Sequence, residues 1–177
     1  SIMVDLSTTY LGLQLKNPVV ASSSPLTQKA ETARELESAG VSAVVMHSLF
    51  EEQIIHESLK LHEDLMRGTD SFAEALTYLP DYGQYSVGPE TYLDALRKMK
   101  KTLSIPVFGS LNGVSTGGWI SYAEKIQDAG ADALELNIYY LSTDVNQTAS
   151  ELEDSYVKLV SDIRQRVHIP IAVKQPS

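Results

Sequence analysis

The chain has 177 residues, 43% hydrophobic and 21% charged, with 10 glycines and 7 prolines, the make-up of one ordinary globular domain and not of a disordered or fibrous chain. Its 14 basic and 23 acidic side chains leave a net charge of -9, which repels nucleic-acid phosphates and anionic lipid surfaces, so neither nucleic acid nor membrane is expected as a partner. The sequence contains no cysteine, which excludes disulfides, thiolate nucleophiles and Cys-ligated iron–sulfur or zinc sites.

In chain order, residues 6–16 contain two short alternating stretches around Gly12, followed by Asn17-Pro18, and read as a small hairpin capping one end of the fold. Residues 19–22 make a first strand. A helix over 28–38, with Ala33 and Leu36 on one face, stops at Gly40. Residues 42–48 form a second strand, and a long excursion over 49–89 follows. After it the pattern alternates regularly: helix 90–103, strand 105–110, helix 118–129 closed by Gly130, strand 131–137, helix 149–167 and strand 169–174.

Two helix-to-strand junctions recur in turn. Ser38-Ala39-Gly40-Val41-Ser42-Ala43 resembles Asp128-Ala129-Gly130-Ala131-Asp132-Ala133, and Ser104-Ile105-Pro106-Val107 resembles His168-Ile169-Pro170-Ile171. Glycine supplies a left-handed C-cap in the first type, and proline opens a strand where no ladder donor is needed in the second. Five strands and four helices in β/α order fit either a doubly wound sheet or part of a (β/α)8 barrel. No G-x-G-x-x-G follows an early strand, so the α/β fold expected is a (β/α)8 TIM barrel, partial here, with residues 1–177 as one domain. A complete barrel needs roughly 250 residues, so this length supplies about five of eight units.

A buried parallel strand reads as a continuous apolar run, and a polar residue at its C-terminal end faces the mouth where α/β folds bind ligands. Ala133-Leu134-Glu135-Leu136-Asn137 and Ile169-Pro170-Ile171-Ala172-Val173-Lys174 both end this way. The five strand ends select Ala21-Ser22-Ser23-Ser24, His47-Ser48-Leu49, Ser110-Leu111-Asn112-Gly113, Asn137-Ile138-Tyr139-Tyr140 and Lys174-Gln175-Pro176. Small residues there let a flat ligand approach the backbone. Asn137 offers donors and an acceptor, and Lys174 is a point charge able to stabilise negative charge developing on a ring.

The excursion at 49–89 far exceeds the usual two to six residues of a β/α loop. Ile54, Ile55, Leu59, Leu65 and Met66 lie at near-helical spacing, and Tyr78-Leu79-Pro80-Asp81-Tyr82-Gly83 is turn-rich. It reads as a lid over the mouth, or as a surface elaboration or oligomer contact. His47, His56, His62 and His168 form no metal-ligand spacing with carboxylates, so no metal is expected, and His56 and His62 read as members of a solvated helix. No apolar run approaches the roughly 20 residues of a membrane helix. The N-terminus shows no signal-peptide pattern, and the expected location is cytoplasmic.

At these positions the chain resembles the dihydroorotate dehydrogenase family, FMN-dependent (β/α)8 barrels that oxidise dihydroorotate to orotate in pyrimidine biosynthesis. The opening Tyr10-Leu11-Gly12-Leu13-Gln14-Leu15-Lys16-Asn17-Pro18 is similar to the family's start. Ser48-Leu49-Phe50-Glu51-Glu52-Gln53, Ser110-Leu111-Asn112-Gly113 and Glu135-Leu136-Asn137-Ile138-Tyr139-Tyr140 resemble a bacterial dihydroorotate dehydrogenase-like subgroup. The resemblance implies FMN over the barrel mouth, with Ala21, Ser22, Ser48, Ser110, Asn137 and Lys174 as its contacts and Lys174 near the flavin's pyrimidine end, where its charge stabilises the reduced ring. It implies a small-molecule substrate met by His47, Asn112 and Ser142.

The departures are specific. Tyr140 stands where the family keeps a proton-abstracting Cys or Ser, Ser142 replaces a following Asn, and His47 takes the place of a lysine after the second strand. A tyrosine is a weak base at neutral pH unless a cation adjoins it, and donates a proton more readily, so Tyr140 is the candidate catalytic residue in that sense. The resemblance places the flavin phosphate in glycine-rich loops after the barrel's last two strands, and this chain reads as holding half of a site. An open fifth strand exposes an unpaired edge, from which a homo-oligomer is expected. Two alternatives stay open: a barrel lyase or isomerase using Lys174 as a Schiff-base nucleophile, and a non-catalytic half-barrel assembly module.

Overall fold

A computed structural model describes residues 4–50, 89–113, 119–138 and 148–174. The first element is the expected hairpin, β1 (Thr8–Tyr10) against β2 (Leu13–Leu15). Its two-residue turn puts both Leu11 (φ 52°) and Gly12 (φ 75°) in the left-handed region, the conformation that matches the right-handed twist of the flanking strands. Leu11, Leu13 and Leu15 pack against Ala43, Val45, Phe108 and Ala133, so the hairpin closes the N-terminal end of the main sheet.

That sheet is parallel, in the order β3 (Val20–Ala21), β4 (Ala43–Val45), β6 (Val107–Gly113), β7 (Ala133–Ile138), β8 (Ile171–Lys174), with the short β5 (Leu49–Phe50) also on β6. Four helices connect it: α1 (Ala30–Ala39), α2 (Pro89–Thr102), α3 (Trp119–Asp128) and α4 (Ala149–Arg164), with a 3-10 turn at Pro25–Thr27. Strand order follows chain order, as in a barrel wall, and the architecture is a partial TIM barrel. Gly40 (φ 110°) and Gly130 (φ 101°) cap α1 and α3 in the left-handed conformation that the recurring junction demanded. Pro106 and Pro170 precede β6 and β8, and their carbonyls accept from Val44 and Leu134. Thr148 and Glu151 form a reciprocal capping box that starts α4.

The helix-side core joins Leu93, Leu96, Met99, Ile126, Leu159 and Ile163 to the outward side chains Val44, Val107, Leu111, Leu134, Leu136 and Ile138 of the sheet. The close fit of α3 on the sheet explains Gly109, where an added Cβ would collide with the Ile126 side chain.

Several boundaries are corrected: the strand expected over 105–110 runs Val107–Gly113, so Asn112 lies within it, and the helix expected over 149–167 ends at Arg164. The strand expected over 42–48 is two strands, β4 and β5, separated at Met46, His47 and Ser48. His47 N–H leaves the ladder to donate to the Thr27 carbonyl at 3.3 Å. On β6, Ser110 is served instead by Tyr92 of α2, whose hydroxyl accepts from the Ser110 N–H at 2.9 Å and donates to its C=O at 3.3 Å. A side chain from a helix therefore does the work of a missing strand residue. The excursion, apart from β5 and Pro89, lies outside the described residues.

Candidate active site

Inward-facing side chains of the sheet fall into layers set by the strand register. Val45, Phe108 and Ala133 are in register across β4, β6 and β7, and Phe108 sits tilted against Tyr10 with ring centroids 6.1 Å apart. Two residues further along, Ser110, Glu135 and Ala172 align. Two more bring Asn112, Asn137 and Lys174 together at the C-terminal rim. Side chains alternate across a strand, so one polar residue in every second position of β6 and β7 turns the upper interior polar while Leu111, Leu134, Leu136 and Ile138 stay in the helix-side core.

The rim encloses a cavity of about 490 Å³ lined by Ser22, Ser23, Ser24, Pro25, His47, Ser48, Phe50, Asn112, Glu135, Asn137 and Lys174. This volume falls within the range of small-molecule sites. A hydrogen-bonded chain runs behind and along it. Asn137 Nδ2 donates to Asn112 Oδ1 at 2.6 Å and to Ser110 Oγ at 3.2 Å. Ser110 Oγ meets Ser48 Oγ at 2.7 Å, and Ser48 Oγ meets Ser23 Oγ at 3.1 Å. The ends of β6 and β7 are thus linked by side chains, in addition to their backbone ladder, to the segments that follow β3 and β4, which holds the amide of Asn137 in a fixed orientation.

Of the residues expected at the mouth, Ser22, His47, Ser48, Asn112, Asn137 and Lys174 line this cavity. Ser110 lies buried just behind it, reaching it through Ser48 and Asn137. The Ala21 methyl packs into the helix-side core, so only its backbone is left to face a ligand. Tyr140 and Ser142 lie outside the described residues.

Glu135 was not singled out by sequence reading, and it is the one buried acidic side chain among the described residues. Lys174 reaches down from the rim to it, Nζ to Oε1 at 3.1 Å, with the two side chains 58% and 8% exposed. The contact is an ion pair without hydrogen-bond geometry, because Oε1 has no hydrogen-bond partner. A usable signal was present: a charge in the middle of an apolar strand, two residues before the strand-end Asn and hence on its face. Tyr92 was also missed. Its burial pushes the phenol well above its ordinary value, the Ser110 backbone hydrogen bond opposes this, and the nearby Glu135 charge adds to it. Among the described residues no group of three or more His, Asp or Glu could hold a metal ion, and no helix is long and apolar enough to cross a membrane.

Fold and rim define a class: a partial parallel β/α barrel whose strand C-termini converge on an open, polar-lined cavity. Within it, the curated relatives are dihydroorotate dehydrogenase-like. The chain is 25% identical over 177 residues to the catalytic subunit of dihydroorotate dehydrogenase B (NAD(+)) from Thermoplasma acidophilum, covering 97% of this chain and 54% of that one. It is 27% identical over 166 residues to the PreA subunit of the NAD-dependent dihydropyrimidine dehydrogenase of Escherichia coli K12, covering 88% and 39%. The chain spans about half the length of the first of these relatives. These matches support the resemblance read from Glu135-Leu136-Asn137 and its companions. No protein-family profile matches the chain.

Among solved structures, a dihydrodipicolinate synthase from Bacillus anthracis superposes with a TM-score of 0.53 at 14% identity, over 97% of this chain and 46% of that one. Another, from Agrobacterium tumefaciens, gives 0.50 at 15%, over 88% and 43%. At such identity the likeness shows the barrel fold alone.

Proposed function

We propose that this chain carries the N-terminal half of an FMN-dependent oxidoreductase acting on dihydroorotate or a related dihydropyrimidine, with a cytoplasmic role in pyrimidine metabolism. The observation that carries the reading is the convergence of Asn137, Asn112, Ser48 and Lys174 on one cavity at the strand C-termini, in a chain whose curated relatives are named as dehydrogenases of these compounds.

The donor set fits a flavin's pyrimidine edge, which presents alternating carbonyl and N–H groups. Ser22 and Ser48 offer hydroxyls, Asn112 offers its amide N–H groups, Asn137 offers its Oδ1 acceptor, its own two N–H groups being spent on Asn112 and Ser110, and Lys174 offers a cation, all lining the same cavity. When bound, FMN supplies the redox chemistry by accepting a hydride from the substrate. The protein's share is placement and charge. The Asn137 amide, held by Asn112 and Ser110, presents fixed polarity to the ring without reorganising. Lys174 keeps a positive charge at the cavity where the ring gains electrons, and Phe50 and Pro25 contribute apolar walls. His47 lines the same cavity within reach of a substrate. Tyr140 and Ser142, three and five residues after Asn137 in the sequence, would serve the proton transfer and substrate contact.

The test is titration of the protein with FMN, followed by flavin fluorescence, then anaerobic reduction of bound flavin by dihydroorotate and by dihydrouracil. Binding weaker than micromolar is expected of a chain that holds half of the site, weakened about tenfold further by Asn137→Ala, the scale of one lost hydrogen bond to a charged or conjugated group. A full-length protein that is colourless and indifferent to FMN would reject the flavin reading.

A further inference from the structure

Lys174 departs from the geometry its strand position would give it. Its Cα is in register with Asn137, yet its ammonium reaches the layer below, against the Glu135 carboxylate. Glu135 is a costly residue to place there. Its side chain is 8% exposed, and its Oε1 atom is buried with no hydrogen-bond partner. A buried carboxylate left so poorly satisfied destabilises a fold, and a folded chain retains one only where another demand outweighs that cost. Its neighbours narrow the demand: Ala172 opposite it on β8 is too small to reach it, Ser110 opposite it on β6 engages its hydroxyl with Ser48 and Asn137, and Tyr92 spends its hydroxyl on the Ser110 backbone. The cation of Lys174 is therefore the group this carboxylate serves.

We propose that Glu135 is the positioning residue of the site, holding the Lys174 ammonium inside the cavity and aimed at the ligand instead of free in solvent. An ammonium carries three donors. The Glu135 contact occupies one side of it, and the cavity they both line also holds serine, asparagine and His47 side chains beside the apolar Pro25 and Phe50. Without the carboxylate, a long flexible side chain that is 58% exposed extends into water, where its charge is screened and does little for a ring deeper in. The geometric claim stands on the chain itself; its catalytic consequence rests on the flavin reading above.

Lysine acylation at one fixed neutral pH and high ionic strength, mapped by peptide mass spectrometry on the protein without cofactor, tests the claim. Lys98 and Lys158 serve as references, since their own ion pairs are exposed and contribute little at high salt. In the wild type, Lys174 is expected to react at least about threefold more slowly than these references despite comparable exposure, because a partly buried pair is screened less. In Glu135→Gln and Glu135→Leu its relative rate rises to theirs. Equal rates in the wild type would overturn the proposal even if neither variant folds, and an unchanged Lys174 rate in a folded variant would overturn it too. FMN affinity is measured in parallel. With FMN binding scored on the full-length protein, slow Lys174 acylation with no FMN binding would reject the flavin reading and keep the pair, whereas FMN binding with fast Lys174 acylation would do the reverse.

Discussion

The two ends of the half-barrel interior are built from the same strands and the same alternation, and they differ only in what occupies the inward positions. At the N-terminal end Val45, Phe108 and Ala133 meet Leu15 of the hairpin, forming a small sealed apolar cluster. At the C-terminal end, two to four residues further along β6 and β7, the inward positions hold Ser110, Asn112, Glu135 and Asn137. The lower end maximises burial and carries no chemistry. The upper end runs from buried Ser110 and Glu135 to the partly exposed Asn112 and Asn137, a gradation that is costly for folding where polar groups are buried. Apolar burial and polar groups are thus divided along the strand axis, the division expected of barrels whose sites lie at strand C-termini.

Substitutions at the two ends should therefore separate. The largest effect is expected from Phe108→Ala at the sealed end, about 3–5 kcal/mol of lost stability from a cavity that Tyr10, Val45 and Ala133 cannot refill. Urea unfolding measures it, and a loss under about 1 kcal/mol would mean that the hairpin collapses onto the gap. Next comes Tyr92→Phe, which strips the surrogate strand contact and leaves the buried Ser110 N–H and C=O unpaired, at about 1–3 kcal/mol.

The same residue predicts a pH dependence. The folded state holds the Tyr92 proton more tightly than the unfolded chain does, so its contribution is intact below the ordinary tyrosine value of about 10 and is lost progressively as the pH rises above it. The difference in melting temperature between wild type and Tyr92→Phe should narrow above that pH, and a constant difference would argue against the buried phenol. The smallest stability change belongs to the rim. Ser48→Ala removes the middle link between Ser23 and Ser110 and should cost only about 0.5–1.5 kcal/mol. Its larger effect should be on FMN affinity, and a variant that loses stability without losing affinity would place the Ser48 hydroxyl in the scaffold alone.

Much of this was legible in the residues. The recurring Gly and Pro junctions, the hairpin around Gly12 and the apolar run of β7 encode local conformation and burial and appear as read, whereas β8, read as a buried strand, is half-buried to exposed, with Val173 37% exposed. Asn137 and Lys174 were legible because a polar residue ending an apolar strand can only mark a mouth. The split of the second strand was not, since the reason for it is Tyr92, a residue forty-odd positions downstream that inserts its hydroxyl into the ladder. Nor was the role of Glu135, because its partner lies on the neighbouring strand, 39 positions away by residue number.

Sequence by itself determined the order of elements, the sign of the charge, the class of barrel and which strand ends are polar, because turns, caps and periodicity act over a few residues. Only the tertiary structure decided register, and register is what stacks Ser110 beside Glu135 and Asn112 beside Asn137 and Lys174. A site made of side chains from four strands exists only once those strands are aligned. No single segment carries the information for an alignment that cross-strand hydrogen bonds and helix packing set together.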